Sequence, residues 1–238
     1  MNVQKSETRI VLIGCGAMAI ETAQYIVAQS DQLGITDSSL VVTDVVSTDS
    51  KRLDQLQQVL GYKVECHRHL SDVANISTKR FVIAIGSVNA IYSISAQIRE
   101  ISGKYFTVIH PTAEVSEYAE IREGCIIAPF AFVGPFAKVG ANSIINVGAT
   151  IGHDVDLGRG VIVSPKADVN GGASCADFAF LGAGVTIDPR VSVGRFAKIS
   201  SGTVVSSSVE AGMLVFHRHQ TKFVKMFDPD NGTGRFKR

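Results

Sequence analysis

Ile145-Asn146-Val147-Gly148-Ala149-Thr150-Ile151-Gly152-His153-Asp154-Val155-Asp156-Leu157 places an aliphatic residue at every sixth position. The same step runs outward in both directions. From Ile109 to Val205 it visits Val115, Ile121, Ile127, Val133, Val139, Ile145, Ile151, Leu157, Val163, Val169, Cys175, Leu181, Ile187, Val193 and Ile199, and sixteen of the seventeen positions are aliphatic. Four residues after each, the side chain is small or β-branched throughout, from Ala113, Ala119 and Cys125 to Ala197, Thr203 and Val209. Neither a helical nor a strand period reproduces this pattern. A period of six held this long predicts a hexapeptide β-solenoid. Each hexad supplies one short strand and one corner. The aliphatic residue points into the prism, and the small one fits where the chain turns inward. Three hexads close a triangular coil, so the stretch holds roughly five to six coils.

Upstream of the repeat the pattern changes. Ile10-Val11-Leu12-Ile13 reads as a buried strand ended by Gly14-Cys15-Gly16, and Ala17 to Ala28 as a helix. Strands at Leu40–Thr43 and Phe81–Ile85, helices at Ser50–Leu60 and Ala90–Ile101, a brief strand at Val64–Cys66 and a last one at Tyr105–Ile109 follow. Alternating strands and helices predict a small parallel sheet covered by helices. The expected organisation is an α/β, Rossmann-like domain over 1–107, a solenoid over 108–212 and a polar tail over 213–238.

Bulk composition narrows the partners. The chain of 238 residues is 45% apolar with a formal charge of +1, so its charge points to no nucleic-acid partner. Cys15, Cys66, Cys125 and Cys175 are widely spaced and read as reduced thiols, neither a disulfide framework nor a zinc site. The polar stretch Met1–Thr8 lacks a signal-peptide core, and no apolar run is long enough to span a bilayer. A cytoplasmic protein without a resident metal is expected.

Gly14-Cys15-Gly16-Ala17-Met18-Ala19 fits G-x-G-x-x-A between a strand and a helix. Its glycines permit a tight turn, and the helix start offers free N–H groups to an anion. Asp44 closes the second strand, where a carboxylate can accept from a ribose or base. Three readings stand side by side: an NAD site, a nucleotide-sugar site, and a turn the fold requires. Within the repeat, His153 follows the inward Ile151 by two positions and should sit on an outer corner. Asp154 adjoins it, Asn146 lies seven residues earlier, and glycines flank it. Histidine suits proton transfer near neutral pH, whereas an isolated exposed histidine usually does nothing.

The segments Ile109-His110-Pro111-Thr112-Ala113, Ile145-Asn146-Val147-Gly148-Ala149 and Gly152-His153-Asp154 resemble the sialic acid O-acetyltransferase and UDP-4-amino-sugar N-acetyltransferase family. The likeness spans about residues 9–212. It implies a left-handed β-helix, a homotrimer with acetyl-CoA held between two helices, and a nucleotide-sugar acceptor held by the first domain. It makes His153 the general base, Asp154 its support and Asn146 an acceptor contact. It places Gly14, Gly16, Met18 and Asp44 on the acceptor, and Gly148, Ile162, Lys166, Gly171, Gly172 and Ala183 along acetyl-CoA. Met18 stands where the family often has a histidine, Ile162 where it has a second one, and Pro165-Lys166 where it has proline-glycine. Its Gly-Asn-Pro-Ala ending is here Phe216-His217-Arg218-His219.

A thioester is already activated, so the enzyme needs a base for the acceptor and a grip on both partners. A backbone N–H near Gly171 or Gly172 is a candidate oxyanion donor. Lys166, Lys198, Lys222 and Arg218 are candidate partners for CoA phosphates. Two rivals remain at this level, O-acetylation on the same scaffold and a non-catalytic nucleotide-sugar scaffold. A metal-dependent carbonic anhydrase would need three converging histidines, and the chain has one in mid-coil.

Overall fold

The computed structural model describes residues 7–32 and 40–217, with a short antiparallel pair at Phe227–Asp228 and Thr233–Gly234. The first unit contains β1 (Thr8–Ile13), α1 (Ala17–Gln32), β2 (Leu40–Val46), α2 (Leu53–Leu60), β3 (Glu65–His67), β4 (Arg80–Ile83), α3 (Val88–Glu100) and β5 (Lys104–Tyr105). Its five strands are all parallel, in the order β3-β2-β1-β4-β5. Ile10, Val11 and Leu12 are wholly buried, as in a parallel strand covered on both faces. The strand expected over Tyr105–Ile109 is split. Lys104–Tyr105 closes the first sheet, and Val108–Ile109 begins the next unit. No described helix is long and apolar enough to cross a membrane.

From Val108 onward the chain forms two-residue strands in three parallel ladders. Up to Val205 each strand pairs with one eighteen residues away, as in Phe132↔Thr150, Lys138↔Asp156 and Ile144↔Ile162, and the last pairing, Lys198↔Leu214, closes a shorter turn. Three hexads therefore make one coil. Face 1 runs from Glu114–Val115 to Val204–Val205, and face 2 from Glu120–Ile121 to Ser192–Val193. Face 3 runs from Val108–Ile109 to Leu214–Val215. Parallel ladders with this repeat fit a left-handed β-helix. The inward aliphatics Ile127, Val133, Val139, Ile145 and Ile151 are fully buried, and so are the corner fillers Ala137, Ala149 and Ala167. Cys125 and Cys175 fill the same core, and burial pushes both thiols up to about 12. Neither is a nucleophile at neutral pH.

From Gly124 to Gly202 every sixth residue, at the corner after a strand, has a left-handed backbone. Phe136, Asp154, Lys166, Phe178 and Arg190 share this conformation with Gly148, Gly160, Gly172, Gly184 and Gly202. The first unit packs on face 3. There the outward residues Val108, Ile126, Ile144 and Ile162 join one buried cluster with Ile91 and Ile98 of α3. The corner between faces 2 and 3 is held by Tyr92 of α3, whose ring meets Phe178 edge-on at 5.2 Å. At the other end of the seam, Ile109 N donates to Gln29 Oε1 at 3.2 Å, and Tyr25 lies edge-on to His110.

Candidate active site

His153 and Asp154 lie on the corner between faces 1 and 2, two and three residues past the buried Ile151. His153 Nδ1 is 2.8 Å from Asp154 Oδ2. Asp154 has φ +58, a conformation that Asp tolerates better than most residues and that sets its carboxylate beside the ring. With the proton on Nδ1, the ring donates to the carboxylate and leaves the Nε2 lone pair free. Both side chains are exposed, at 69% and 62%.

The imidazole lies directly over Gly171. A side-chain carbon at Gly171 would stand 2.5 Å from His153 Nε2 and 2.7 Å from Cε1, so only glycine admits the ring there. The two proposed oxyanion donors differ. Gly172 N is committed to His153 O at 3.0 Å, whereas Gly171 N has no backbone acceptor among the described residues. Of the pair, Gly171 alone retains a donor for a ligand, and the expectation for the Gly172 N–H is corrected.

The remaining coil residues are not gathered around His153 within one chain. Asn146, Gly148, Lys166 and Ala183 occupy the preceding corner, between faces 3 and 1, and the strand Thr150–Ile151 separates the two corners. Asn146 is buried, and its Oδ1 accepts from Val147 N at 3.1 Å. Lys166 and Ala183 are exposed. Ile162 does not line a CoA groove. It is 2% exposed, beneath the first unit on face 3, where no ligand reaches it. Lys198 is on the same face with its ammonium 5.5 Å from the centre of the Phe180 ring. Arg218, His219 and Lys222 lie outside the described residues.

In the first unit, Gly14 has φ +118, and a side chain there would meet Ala84 O at 2.8 Å. Gly16 is exposed, with nothing near the position of an added side chain. Gly14 thus satisfies packing, while Gly16 leaves the start of α1 open. Met18 is half-buried against the core. Gly14 borders a cleft of about 670 Å³ whose polar rim includes Ser47, Thr48, Arg68, His69 and Gln97. The sequence reading passed over these residues. Their signal was position: Ser47-Thr48 and Arg68-His69 directly follow β2 and β3, and open α/β sheets bind ligands beyond the carboxyl ends of their strands.

Asp44 does not face this cleft. It is 1% exposed, and its carboxylate receives Lys79 Nζ at 2.6 Å, Thr43 Oγ1 at 2.6 Å and His67 Nε2 at 2.9 Å. Burial would raise its pKa, but the hydrogen bonds from Lys79, Thr43 and His67 outweigh that and hold it below the ordinary 3.8. Every oxygen is satisfied within the chain, so the expected ribose contact gives way to a structural role. Asp44, Glu65 and His67 also bring three potential metal donors within 4.8 Å of one another. The Lys79 ammonium, 2.6 Å from Asp44 Oδ2, already neutralises that carboxylate.

No family model and no curated protein sequence matches this chain. Solved structures do. A histidine-to-asparagine variant of perosamine N-acetyltransferase from Caulobacter crescentus, in complex with CoA and GDP-perosamine, superposes with a TM-score of 0.75 at 25% identity. That match covers 86% of this chain and 91% of the other. The acetyltransferase domain of PglB from Neisseria gonorrhoeae, in complex with acetyl coenzyme A, gives 0.74 at 23% identity over 88% and 96%. WeeI from Acinetobacter baumannii gives 0.73 at 22% identity over 88% and 97%. The similarity spans both units of the chain.

Proposed function

We propose that this chain is an acetyl-CoA-dependent acetyltransferase whose acceptor is the amine of a nucleotide-linked amino sugar. The observation that carries the reading is the exposed His153–Asp154 pair seated on the bare backbone of Gly171. The likeness to a nucleotide-amino-sugar N-acetyltransferase with CoA and its acceptor bound supports the substrate class.

The chemistry follows from the geometry. His153 Nε2 takes the proton from the acceptor nitrogen as that nitrogen attacks the thioester carbonyl. The C–N bond forms, the C–S bond breaks, and the proton passes to the departing CoA sulfur. Asp154 stabilises the transient imidazolium, and the Gly171 N–H is available to the oxyanion. No acyl-enzyme is needed. The first unit would hold the nucleotide. Its strand order matches five of the six strands of the doubly wound nucleotide-binding order 3-2-1-4-5-6, which supports a Rossmann-like assignment. In this reading Gly16, Arg68 and the Ser47-Thr48 pair bind the acceptor, and Gly14 shapes the turn beneath them. The separation of His153 from Gly148, Lys166 and Ala183 supports a homotrimer in which one chain's histidine corner meets the preceding corner of its neighbour.

The test is direct. The chain is incubated with acetyl-CoA and a panel of nucleotide sugars bearing an amine, a hydroxyl or neither, and free thiol is followed. Amine-dependent thiol release is expected. Release only with hydroxyl acceptors would move the assignment to O-acetylation, and no release with any acceptor would sink it. Light scattering should give three times the 25.4 kDa chain mass. A monomer would remove the shared site.

A further inference from the structure

We propose that Tyr118 and Phe136 form a stacking shelf for the acceptor's sugar ring, so that acceptor and acyl donor enter the catalytic corner from opposite ends. The proposal rests on the acetyltransferase reading above. Tyr118, Phe136, Asp154, Gly172 and Arg190 stand in one column, eighteen residues apart along the corner between faces 1 and 2. Adjacent coils are joined there by Asp154 N to Pro135 O at 3.1 Å, Gly172 N to His153 O at 3.0 Å and Arg190 N to Gly171 O at 3.2 Å. Successive members are therefore about 4.8 Å apart, one strand spacing.

The column changes character at Asp154. On its N-terminal side are two aromatic rings, each residue 61% exposed, with centroids 5.7 Å apart and planes tilted by 35°. Together they make a continuous apolar surface beside the base. Phe136 holds φ +61, an unfavourable conformation for a bulky side chain, at a corner position that glycine fills elsewhere in the coil. Phe178 has the same conformation, but it is buried beneath Tyr92. Phe136 has no such cover. An uncovered apolar ring pair beside the base is open to a ligand. A pyranose fits: one of its faces presents C–H groups, whose partial positive charge complements the negative face of an aromatic ring.

On the C-terminal side the column is bare, then cationic. Gly171-Gly172 carry no side chains, and Arg190 forms no ion pair among the described residues. A slender pantetheine arm crosses glycine backbone without obstruction, and the guanidinium faces the polyanionic end of CoA. The neutral ring and the anionic donor are thus sorted to opposite sides of His153.

Steady-state kinetics on the full chain test this with Tyr118→Ala, Phe136→Ala, Phe136→Trp and Arg190→Ala. The two aromatic-to-alanine variants should raise acceptor KM about tenfold, leave acetyl-CoA KM within about twofold, and recover with tryptophan. Arg190→Ala should do the reverse. An unchanged acceptor KM, or a raised acetyl-CoA KM in the aromatic variants, would overturn the shelf. So would a fall in molar mass on Phe136→Ala, which would make the rings a seam between copies. Saturation-transfer NMR with a nucleotide amino sugar reads the contact without turnover. The sugar-ring protons should saturate with the unaltered chain and not with Phe136→Ala. If that holds while no acetyl is transferred, the shelf stands and the reaction assigned above fails. If the ring protons do not saturate with the unaltered chain, the shelf fails.

Discussion

The corner carrying Phe178 and the corner carrying Phe136 have the same hexad position, the same left-handed backbone and the same residue, yet opposite surroundings. Phe178 stacks on Phe196 at 5.2 Å and is capped by Tyr92 from the first unit. Among the aromatic rings of the described residues Phe136 meets Tyr118 alone, and it faces outward. The repeat fixes where a side chain points. What covers it decides whether the residue stabilises the fold or stays available to a ligand. The two grades of residue, covered and open, should fail in different ways when altered.

The largest effect belongs to the open corner. His153→Ala should lower kcat about 10²–10⁴-fold, roughly 3–5 kcal/mol of barrier, with the thermal midpoint unchanged because the ring is exposed. A variant that kept a third of the original kcat would place the base elsewhere. A covered polar group should show the opposite profile. Asp44→Asn leaves Lys79 buried without its counter-charge, which should destabilise the first unit by about 3 kcal/mol in denaturant melts. The pH dependence has a definite sign. The folded carboxyl is held below its ordinary value, so below that value the unfolded state binds more protons. The stabilisation is complete above about pH 4 and lost as pH falls through the folded value. The Asn variant should lack that part of the slope.

Ile162→Ala tests cover more narrowly. Buried at the seam, it should cost about 2–3 kcal/mol of stability and leave acetyl-CoA KM untouched. A raised acetyl-CoA KM without a stability loss would restore it to the donor groove. The smallest contrast lies in the glycine turn. Gly14→Ala forces a side chain against Ala84 O and should cost about 1–3 kcal/mol. Gly16→Ala should change stability by less than about 0.5 kcal/mol while raising acceptor KM. Equal losses at both would deny the division between packing and binding glycines.

The coil, its eighteen-residue turn and the outward histidine were all legible, because one period governs every residue of a solenoid and each coil touches only its neighbours. The strands of the first unit were legible from their apolar runs. What escaped depended on partners remote in sequence. Lys79 and His67 reach Asp44 from 35 and 23 residues away, and no local pattern announces either. Ile162 was read as a site residue because the family resemblance places a second histidine at that position. A different spacing held the answer. Val108, Ile126, Ile144, Ile162 and Phe180 form an apolar outward column, while Glu120, Lys138, Asp156, Ser174 and Ser192 form a polar one. Reading the outward residues in steps of eighteen picks out the face that another unit covers.

That step also limits how the chain can change in length. Adding one residue within a face would exchange inward and outward side chains there. Adding six between His153 and Gly171 would keep the core intact but advance everything beyond by a third of a turn, drawing Gly171 out from under the imidazole. Adding eighteen would preserve every ladder and lengthen the groove by one strand spacing, about 4.8 Å. The depth of the groove beyond the base is therefore quantised, and a donor with a longer or shorter arm would be accommodated in whole coils.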